Sequence, residues 1–187
     1  FNRSQPEDAL KYWQLAGKVY QKLSQKLNNN PGLIQNQINQ VQALQSLGLY
    51  QQARVIVGQI EQSIETLPPS LKIQALVSLG DILRATGDLK GSQTALEEAL
   101  VITKSPKNVA KTWLSLGNTF YARGNLEFER NQKTVKNQVI PWQCNINEVP
   151  EEAQPFYKQA DKAYQKVIDL QSNEFVTKAQ LNRLSLL

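Results

Sequence analysis

The sequence predicts an all-α protein in which antiparallel helix pairs follow one another along the chain. Apolar residues recur at spacings of three and four through most of the 187 residues, and no stretch alternates with period two. Clusters of proline, asparagine and glycine separate these periodic segments. The segments LVSLGDILRATGD, 76–88, and WLSLGNTFYARGN, 113–125, repeat one frame 37 positions apart. Such repetition is typical of helix pairs that bury their apolar faces against neighbouring pairs.

The helix boundaries follow from residues that start and stop helices. Ser4-Gln-Pro-Glu7 is a capping box that begins the first helix, and the run Asn28 to Gly32 ends it. Leu67-Pro-Pro-Ser70 and Ser105-Pro106 mark two further boundaries, because proline is tolerated in the first turn of a helix. We therefore predict helices at residues 6–28, 33–47, 50–66, 69–86, 89–104, 107–124 or beyond, 151–171 and 174–187.

Short turns are predicted to join the two helices of each pair. Gly48, Gly87 and Gly124 are placed in these turns, where a left-handed backbone costs glycine little. Successive glycines of this set are 39 and 37 residues apart. Turns this short make the paired helices antiparallel.

Small residues are expected where paired helices approach closely, with Gly80 opposite Ser92 and Gly117 opposite Ala160. The second separation is about 31 residues longer than the first, which indicates an insertion inside the third pair. The predicted organisation is a single repeat domain over residues 1–187, with an inserted segment at about 126–155. The apolar residues of that segment either pack onto the repeats or form an exposed contact patch.

Composition excludes several classes of chemistry. The chain has no histidine, so it lacks the commonest general base and metal ligand. Cys144 is the only cysteine, which excludes an internal disulfide and fits a reducing compartment such as the cytoplasm. No phosphate-binding glycine loop or cluster of metal ligands is present, so we expect no cofactor and no metal. No segment is apolar for long enough to span a membrane.

The net charge of +5 raises the alternative of a nucleic-acid-binding repeat protein. The lysines are dispersed, however, and form two stripes that are far apart in sequence and interrupted by acidic residues. Stripes of this kind are more often solvated outer faces, so binding of nucleic acid is the weaker hypothesis. The stripes comprise Lys11, Lys18, Lys22 and Lys26, and Lys158, Lys162 and Lys166.

The last residues repeat an earlier helix. KAQLNRLSLL, 178–187, aligns with QNQINQVQAL, 35–44, in the same apolar frame. The chain is therefore expected to be a fragment of a longer protein, ending in a first helix without its partner. The apolar stripe of Ala179, Leu181, Leu184 and Leu187 would then be uncovered and available for self-association.

The repeats resemble the tetratricopeptide repeat (TPR). Trp113, Leu116, Gly117 and Phe120 match its first-helix pattern, and Leu76, Leu79, Gly80 and Leu83 match it with aliphatic residues. The resemblance implies an α-solenoid with a right-handed superhelix and a concave groove that binds a peptide or a partner protein. A narrower similarity, carried by QINQVQALQSLGLYQQA, SLGDILRATGDL, SLGNTFYA and KAQLNRLSLL, is to cyanobacterial TPR proteins with a downstream caspase-like CHAT domain. It implies an interaction or regulatory arm whose partner is a protein, or another domain of the same polypeptide.

The TPR frame assigns thirteen polar residues to the groove. Amide side chains among them can pair with the main chain of an extended peptide, and the cations favour acidic groups. The predicted groove residues are Gln35, Asn39, Gln42, Gln74, Ser78, Asp81, Arg84, Lys111, Ser115, Asn118, Tyr121, Lys178 and Asn182.

An enzyme with a histidine-free site is the remaining alternative. The adjacent carboxylates Glu97 and Glu98, and Glu151 and Glu152, point apart on a helix and make no acid–base dyad. We therefore predict that the chain is not an enzyme, and that it acts as a protein-interaction scaffold.

Overall fold

The structure, a computed structural model, describes residues 5–24, 30–135, 149–171 and 173–186. The described residues form eight α-helices and one short 3₁₀ helix, without a strand. The helices are α1 Pro6–Ser24, α2 Pro31–Ser46, α3 Tyr50–Glu61, α4 Pro69–Ala85, α5 Leu89–Ile102, α6 Pro106–Val135, α7 Gln154–Asp169 and α8 Asn173–Leu184. The predicted all-helical fold is confirmed.

Local chemistry explains where the helices begin. Proline occupies the first position of α2 and α4, and the Asn30 side chain caps α2 by accepting a hydrogen bond from the Gly32 N–H at 2.9 Å. Asp88 caps α5 in the same way, accepting from the Gly91 N–H at 2.8 Å. The predicted helix over 50–66 is shorter, because α3 ends at Glu61 and a 3₁₀ helix follows at Ile64–Thr66.

The chain divides into two compact units, Phe1–Lys104 and Ser105–Leu187. The prediction that residues 1–187 form a single domain stays a prediction. In the first unit, α2 packs against α1, α3 and α4, and α4 packs against α5. A core cluster joins α2, α3 and α4 through Ile34, Ile38, Ile60, Leu71 and Ala75.

Two of the three predicted turn glycines are confirmed. Gly48 has φ +72° and Gly87 has φ +93°, a left-handed backbone conformation that residues other than glycine adopt only at a cost in free energy. Gly124 is different, because it lies inside α6, where the prediction of a turn is wrong. Its missing side chain instead makes room for a neighbouring helix, since a Cβ there would lie 2.6 Å from Cε1 of Tyr157.

Glycine also allows close contact between paired helices, although with different partners from those predicted. A Cβ on Gly80 would lie 2.5 Å from Leu96 Cγ, and one on Gly117 would lie 2.5 Å from Tyr164 Cε1. The predicted partners Ser92 and Ala160 are one helical turn earlier and are fully buried. The helices therefore approach as expected, and the bulky residue one turn later fills the space above each glycine.

The second unit consists of α6, α7 and α8. The 30-residue α6 packs against α7, and α8 contacts both of them. The start of the predicted insert therefore continues α6, because α6 extends to Val135 before α7 begins at Gln154. The loop residues of that insert, with Cys144, lie outside the described residues. Among the helices that the structure describes, none combines the length and hydrophobicity needed to cross a bilayer.

Candidate interaction surface

The predicted groove residues of the first unit come together at the contact between α2 and α4. Gln35 and Asn39 are one turn apart on α2, so their side chains share a face. Gln35 Nε2 donates to Asn39 Oδ1 at 3.2 Å and to Gln74 Oε1 of α4 at 3.4 Å. We call Gln35, Asn39 and Gln74 the amide cluster. All three side chains are half-buried, so part of each remains accessible at the surface.

The other predicted residues of α4 lie further along the helix. Asp81 and Arg84 form an ion pair with an N–O distance of 3.8 Å. Arg84 Nε is buried and has no hydrogen-bond partner among the described residues. Ser78 is only 4% exposed, so its hydroxyl is not accessible to a ligand. On α2, Gln42 is half-buried and takes no part in the amide cluster.

Three more amides of α2 hold the helix to its neighbours. Gln40 Nε2 donates to Asn36 Oδ1 at 2.6 Å and to the carbonyl oxygen of Trp13 at 3.4 Å, which links α2 to α1. Gln37 Nε2 donates to Gln59 Oε1 at 3.0 Å, which links α2 to α3. The amide side chains of the segment QNQINQ therefore both hold α2 to its neighbours and line its exposed face.

In the second unit, Asn118 connects all three helices. Its Oδ1 accepts hydrogen bonds from the Tyr164 hydroxyl of α7 at 2.9 Å and from Asn182 Nδ2 of α8 at 2.8 Å. We call Asn118, Tyr164 and Asn182 the Asn118 cluster. The predicted groove residues include Asn118 and Asn182, whereas Tyr164 was not predicted from the sequence. Its position in the repeat could have revealed it. Leu96 lies 16 residues after Gly80, and Tyr164 lies at the same distance after Gly117 once the insertion of about 31 residues is subtracted.

The remaining predicted residues of the second unit differ in exposure. Lys178 is exposed and Lys111 is half-buried, so both can present a positive charge. Ser115 is 5% exposed and is closed to a ligand in the same way as Ser78. Tyr121 packs against Tyr157, with ring centroids 6.0 Å apart.

Tyr157 stays protonated over the ordinary pH range. Burial raises the pKa of its phenol, and the neighbouring Tyr121 raises it further. The neutral hydroxyl can therefore donate to Asn125 Oδ1, 2.8 Å away. Tyr157 thus helps to hold α7 on α6 and provides no ionised group.

The surface offers hydrogen-bonding groups and a few charges. Within the described ranges, no group of three or more histidine, cysteine, aspartate or glutamate residues is placed to hold a metal ion. Amides and cations can bind peptide groups and carboxylates, since amides both donate and accept and lysine or arginine only donates. Five of the thirteen predicted residues thus fall in two clusters, each within one unit: Gln35, Asn39 and Gln74 in the first, and Asn118 and Asn182 in the second.

Comparisons with known proteins identify the fold. No protein-family model matches the chain, and no curated protein matches it. A solved structure that does match is a protein from Podosopora anserina assigned as a kinesin light chain with nearly identical TPR-like repeats. It is 17% identical, with 98% of this chain and 93% of that chain covered and a TM-score of 0.50. A single-substitution variant of that protein is 18% identical over 98% and 92% of the two chains, also with a TM-score of 0.50. Identity this low shows the fold alone, and the resemblance seen in the repeats is confirmed at that level: the chain has a TPR-like helical-repeat fold.

Proposed function

We propose that the chain is a non-catalytic protein-interaction module that binds peptide segments of a partner protein on polar helix faces, formed by α2 and α4 in the first unit and, separately, by α6 and α8 in the second. The observation that carries the proposal is the amide cluster, in which polar side chains from two neighbouring first helices meet at the surface. The convergence of amides from two helices offers a ligand several hydrogen-bonding groups in one place. The TPR-like fold supports the proposal, because helical repeats present extended surfaces suited to binding.

The amide cluster has hydrogen-bonding capacity to spare. Its internal bonds use Gln35 Nε2 and the side-chain oxygens of Asn39 and Gln74. Gln35 Oε1 and Asn39 Nδ2 take no part in those bonds, so one acceptor and one donor remain for a ligand. A main-chain amide of an extended peptide offers the complementary donor and acceptor whatever its side chain. We therefore expect recognition of the peptide main chain.

Charge adds a modest preference for acidic partners. Lys111 and Lys178 have exposed or half-exposed amines in the second unit, whereas Asp81 offsets Arg84 in the first. Exposed charges contribute little each, so they bias the choice of partner and the rate of encounter more than the affinity.

The experiment begins with a photo-crosslinking amino acid in place of Gln42, which is half-buried on α2 and outside the amide cluster, and the captured protein is identified by mass spectrometry. Binding of that protein is then measured for Gln35→Ala/Gln74→Ala, which we expect to weaken it about tenfold through lost hydrogen bonds. The matched control is Gln51→Ala/Gln52→Ala, which removes two exposed amides from the second helix α3 and should leave binding unchanged.

Circular dichroism of both variants confirms that each remains folded. Unchanged binding by Gln35→Ala/Gln74→Ala, or equal weakening by the control, would show that the amide cluster is not the binding surface.

The source of the bound segment is a further part of the proposal. The resemblance to TPR proteins that carry a CHAT domain favours another domain of the same polypeptide. Crosslinking in cells of the source organism separates the two cases, because an intramolecular partner yields crosslinked peptides from a single polypeptide.

A further inference from the structure

A groove with an apolar floor and a basic rim runs between α7 and α8 in the second unit. Ile168, Leu184 and Leu186 contribute apolar surface, and Lys158, Lys162 and Arg183 contribute positive charge. The groove has a volume of about 790 Å³. It is separate from the Asn118 cluster, whose residues do not line it.

The helix face beside the groove corresponds in sequence register to a face that is covered elsewhere in this chain. Residues 178–187 repeat the frame of 35–44, so Leu181 and Leu184 correspond to Ile38 and Val41 of α2. Ile38 and Val41 are fully buried, and Ile38 packs in the core cluster against Ile60 of α3 and Leu71 of α4. Leu181 is 60% exposed and Leu184 is 64% exposed. The open face of α8 is therefore the face that receives a helix on α2.

The charges at the rim indicate what kind of helix fits. Lys158 and Lys162 are one turn apart on α7 and exposed, so they extend along one wall of the groove. Asp161, the acidic residue among the described residues of the lining, is already paired with Arg183, whose Nε lies 2.6 Å from Asp161 Oδ1. Arg183 Nη1 also donates to Gln165, which fixes α8 against α7. The rim consequently presents two lysine charges beside apolar surface, and neither is paired with a carboxylate of the described residues.

We propose that this groove binds an amphipathic helix of a partner protein, with apolar residues on one face and carboxylates along its edge. A longer form of the chain in which its own next helix fills the groove and blocks such a helix would overturn the proposal. A helix in this position buries Leu184 and places its carboxylates beside Lys158 and Lys162. A second copy of the chain is a poorer occupant. The exposed apolar stripe of α1 is bordered by Lys11, Lys18 and Lys22, so it would bring like charges against the rim.

The test uses a fluorescent synthetic peptide of about four helical turns, with leucines at spacings of three and four and glutamates beside them. A second peptide carries lysine in place of every glutamate. We expect the glutamate peptide to bind the 187-residue chain at least about tenfold more tightly than the lysine peptide. Equal binding of the two peptides would overturn the charge argument.

Matched variants of the chain locate the binding. Lys158→Glu/Lys162→Glu should weaken binding of the glutamate peptide about tenfold, whereas Lys11→Glu/Lys18→Glu, with the same change in net charge, should have little effect. Equal losses in the two variants would mean that the peptide responds only to the net charge of the chain, and the proposal would fail.

The apolar contribution has its own pair of variants. Leu184→Asp should weaken binding of the glutamate peptide about tenfold, because it places a charge on the floor of the groove. Val101→Asp is the control, because Val101 is 85% exposed on α5 in the other unit. If Leu184→Asp binds as tightly as the parent, the groove is not the binding site.

Sedimentation equilibrium tests occupation by a second copy. A monomer supports the partner proposal, whereas a dimer that Leu184→Asp abolishes and Val101→Asp preserves would overturn it. The glutamate peptide should also bind Gln35→Ala/Gln74→Ala normally, so the outcome is distinguishable from that of the proposed function.

Discussion

Replacing Gly80 by alanine should destabilise the first unit, although alanine is the better helix former. A Cβ at this position would lie 2.5 Å from Cγ and 2.8 Å from Cδ2 of Leu96, where ordinary contacts begin at 3.4 Å. Leu96 is fully buried, and rotation about χ2 leaves its Cγ in place, so only a change of χ1 or a backbone shift can clear the overlap. Either Leu96 leaves its rotamer or α5 moves away from α4.

The magnitude follows from two opposing effects. Alanine gains about 1 kcal/mol over glycine from helix propensity. Inserting one carbon into a filled core costs about 1 to 3 kcal/mol, and the overlap at this site places the cost in the upper part of that range, at about 2 to 3 kcal/mol. We expect a net loss of about 1 to 2 kcal/mol in the free energy of unfolding, measured by urea denaturation with far-UV circular dichroism.

Gly58→Ala is the control, because Gly58 lies inside α3 and a Cβ there would meet only Glu61 Oε2 at 3.9 Å. The free energy of unfolding of that variant should rise by up to about 1 kcal/mol. Leu96→Ala in the Gly80→Ala background completes a double-mutant cycle, and the two changes together should cost less than their sum. If Gly80→Ala is as stable as Gly58→Ala, close packing between α4 and α5 does not explain the glycine.

Three further changes test other parts of the structure. Gly124→Ala should lower the free energy of unfolding by about 1 to 2 kcal/mol because its Cβ meets the Tyr157 ring; a gain in stability in urea denaturation would show that the ring does not exclude a Cβ at this position. The Lys72 ammonium donates hydrogen bonds to the carboxylates of Glu65 and Glu98, which raise its pKa above 10.5 in the folded state, Glu65 having the larger effect. The stabilisation from these bonds is therefore present below pH 10.5 and is lost as the pH rises through the raised pKa. The stability difference between the parent and Lys72→Met should shrink as the pH rises above 10.5, relative to that at about pH 8, and a constant difference would contradict this. Asn118→Ala should cost about 1 to 2 kcal/mol in thermal or urea unfolding because two hydrogen bonds are lost, and an unchanged stability would mean that they contribute nothing.

The helix boundaries could be predicted because their signals are local. Asn30 and Pro31 start α2, and Asp88 starts α5, through groups within a few residues of each other. Gly48 and Gly87 end their helices for the same reason, since the left-handed conformation is a property of the residue itself. No knowledge of the neighbouring helices is needed for any of these features.

Gly124 could not be assigned from local sequence, because its role depends on a residue 33 positions later. The repeat frame equated it with Gly87, which ends a helix, whereas the chain after Gly124 continues with helix-forming residues to Val135. What decides its role is the Tyr157 ring, and the insertion hides that contact from any comparison of repeats. Ser78 and Ser115 show the same limit, since the periodicity that places them on a helix does not reveal which neighbours cover them.

The Asn118 cluster shows how packing and the polar surface are linked in this chain. Leu96 above Gly80 and Tyr164 above Gly117 fill the same kind of space, so the insertion between α6 and α7 leaves the register of the pair unchanged. The substitution of tyrosine for leucine adds a hydroxyl that extends past the glycine and reaches Asn118 Oδ1. Because that oxygen also accepts from Asn182, the close approach at Gly117 positions a polar group on the face that we propose for binding. A residue that widened the helix pair at Gly117 would therefore displace the Tyr164 hydroxyl and alter the surface without touching any of the exposed side chains.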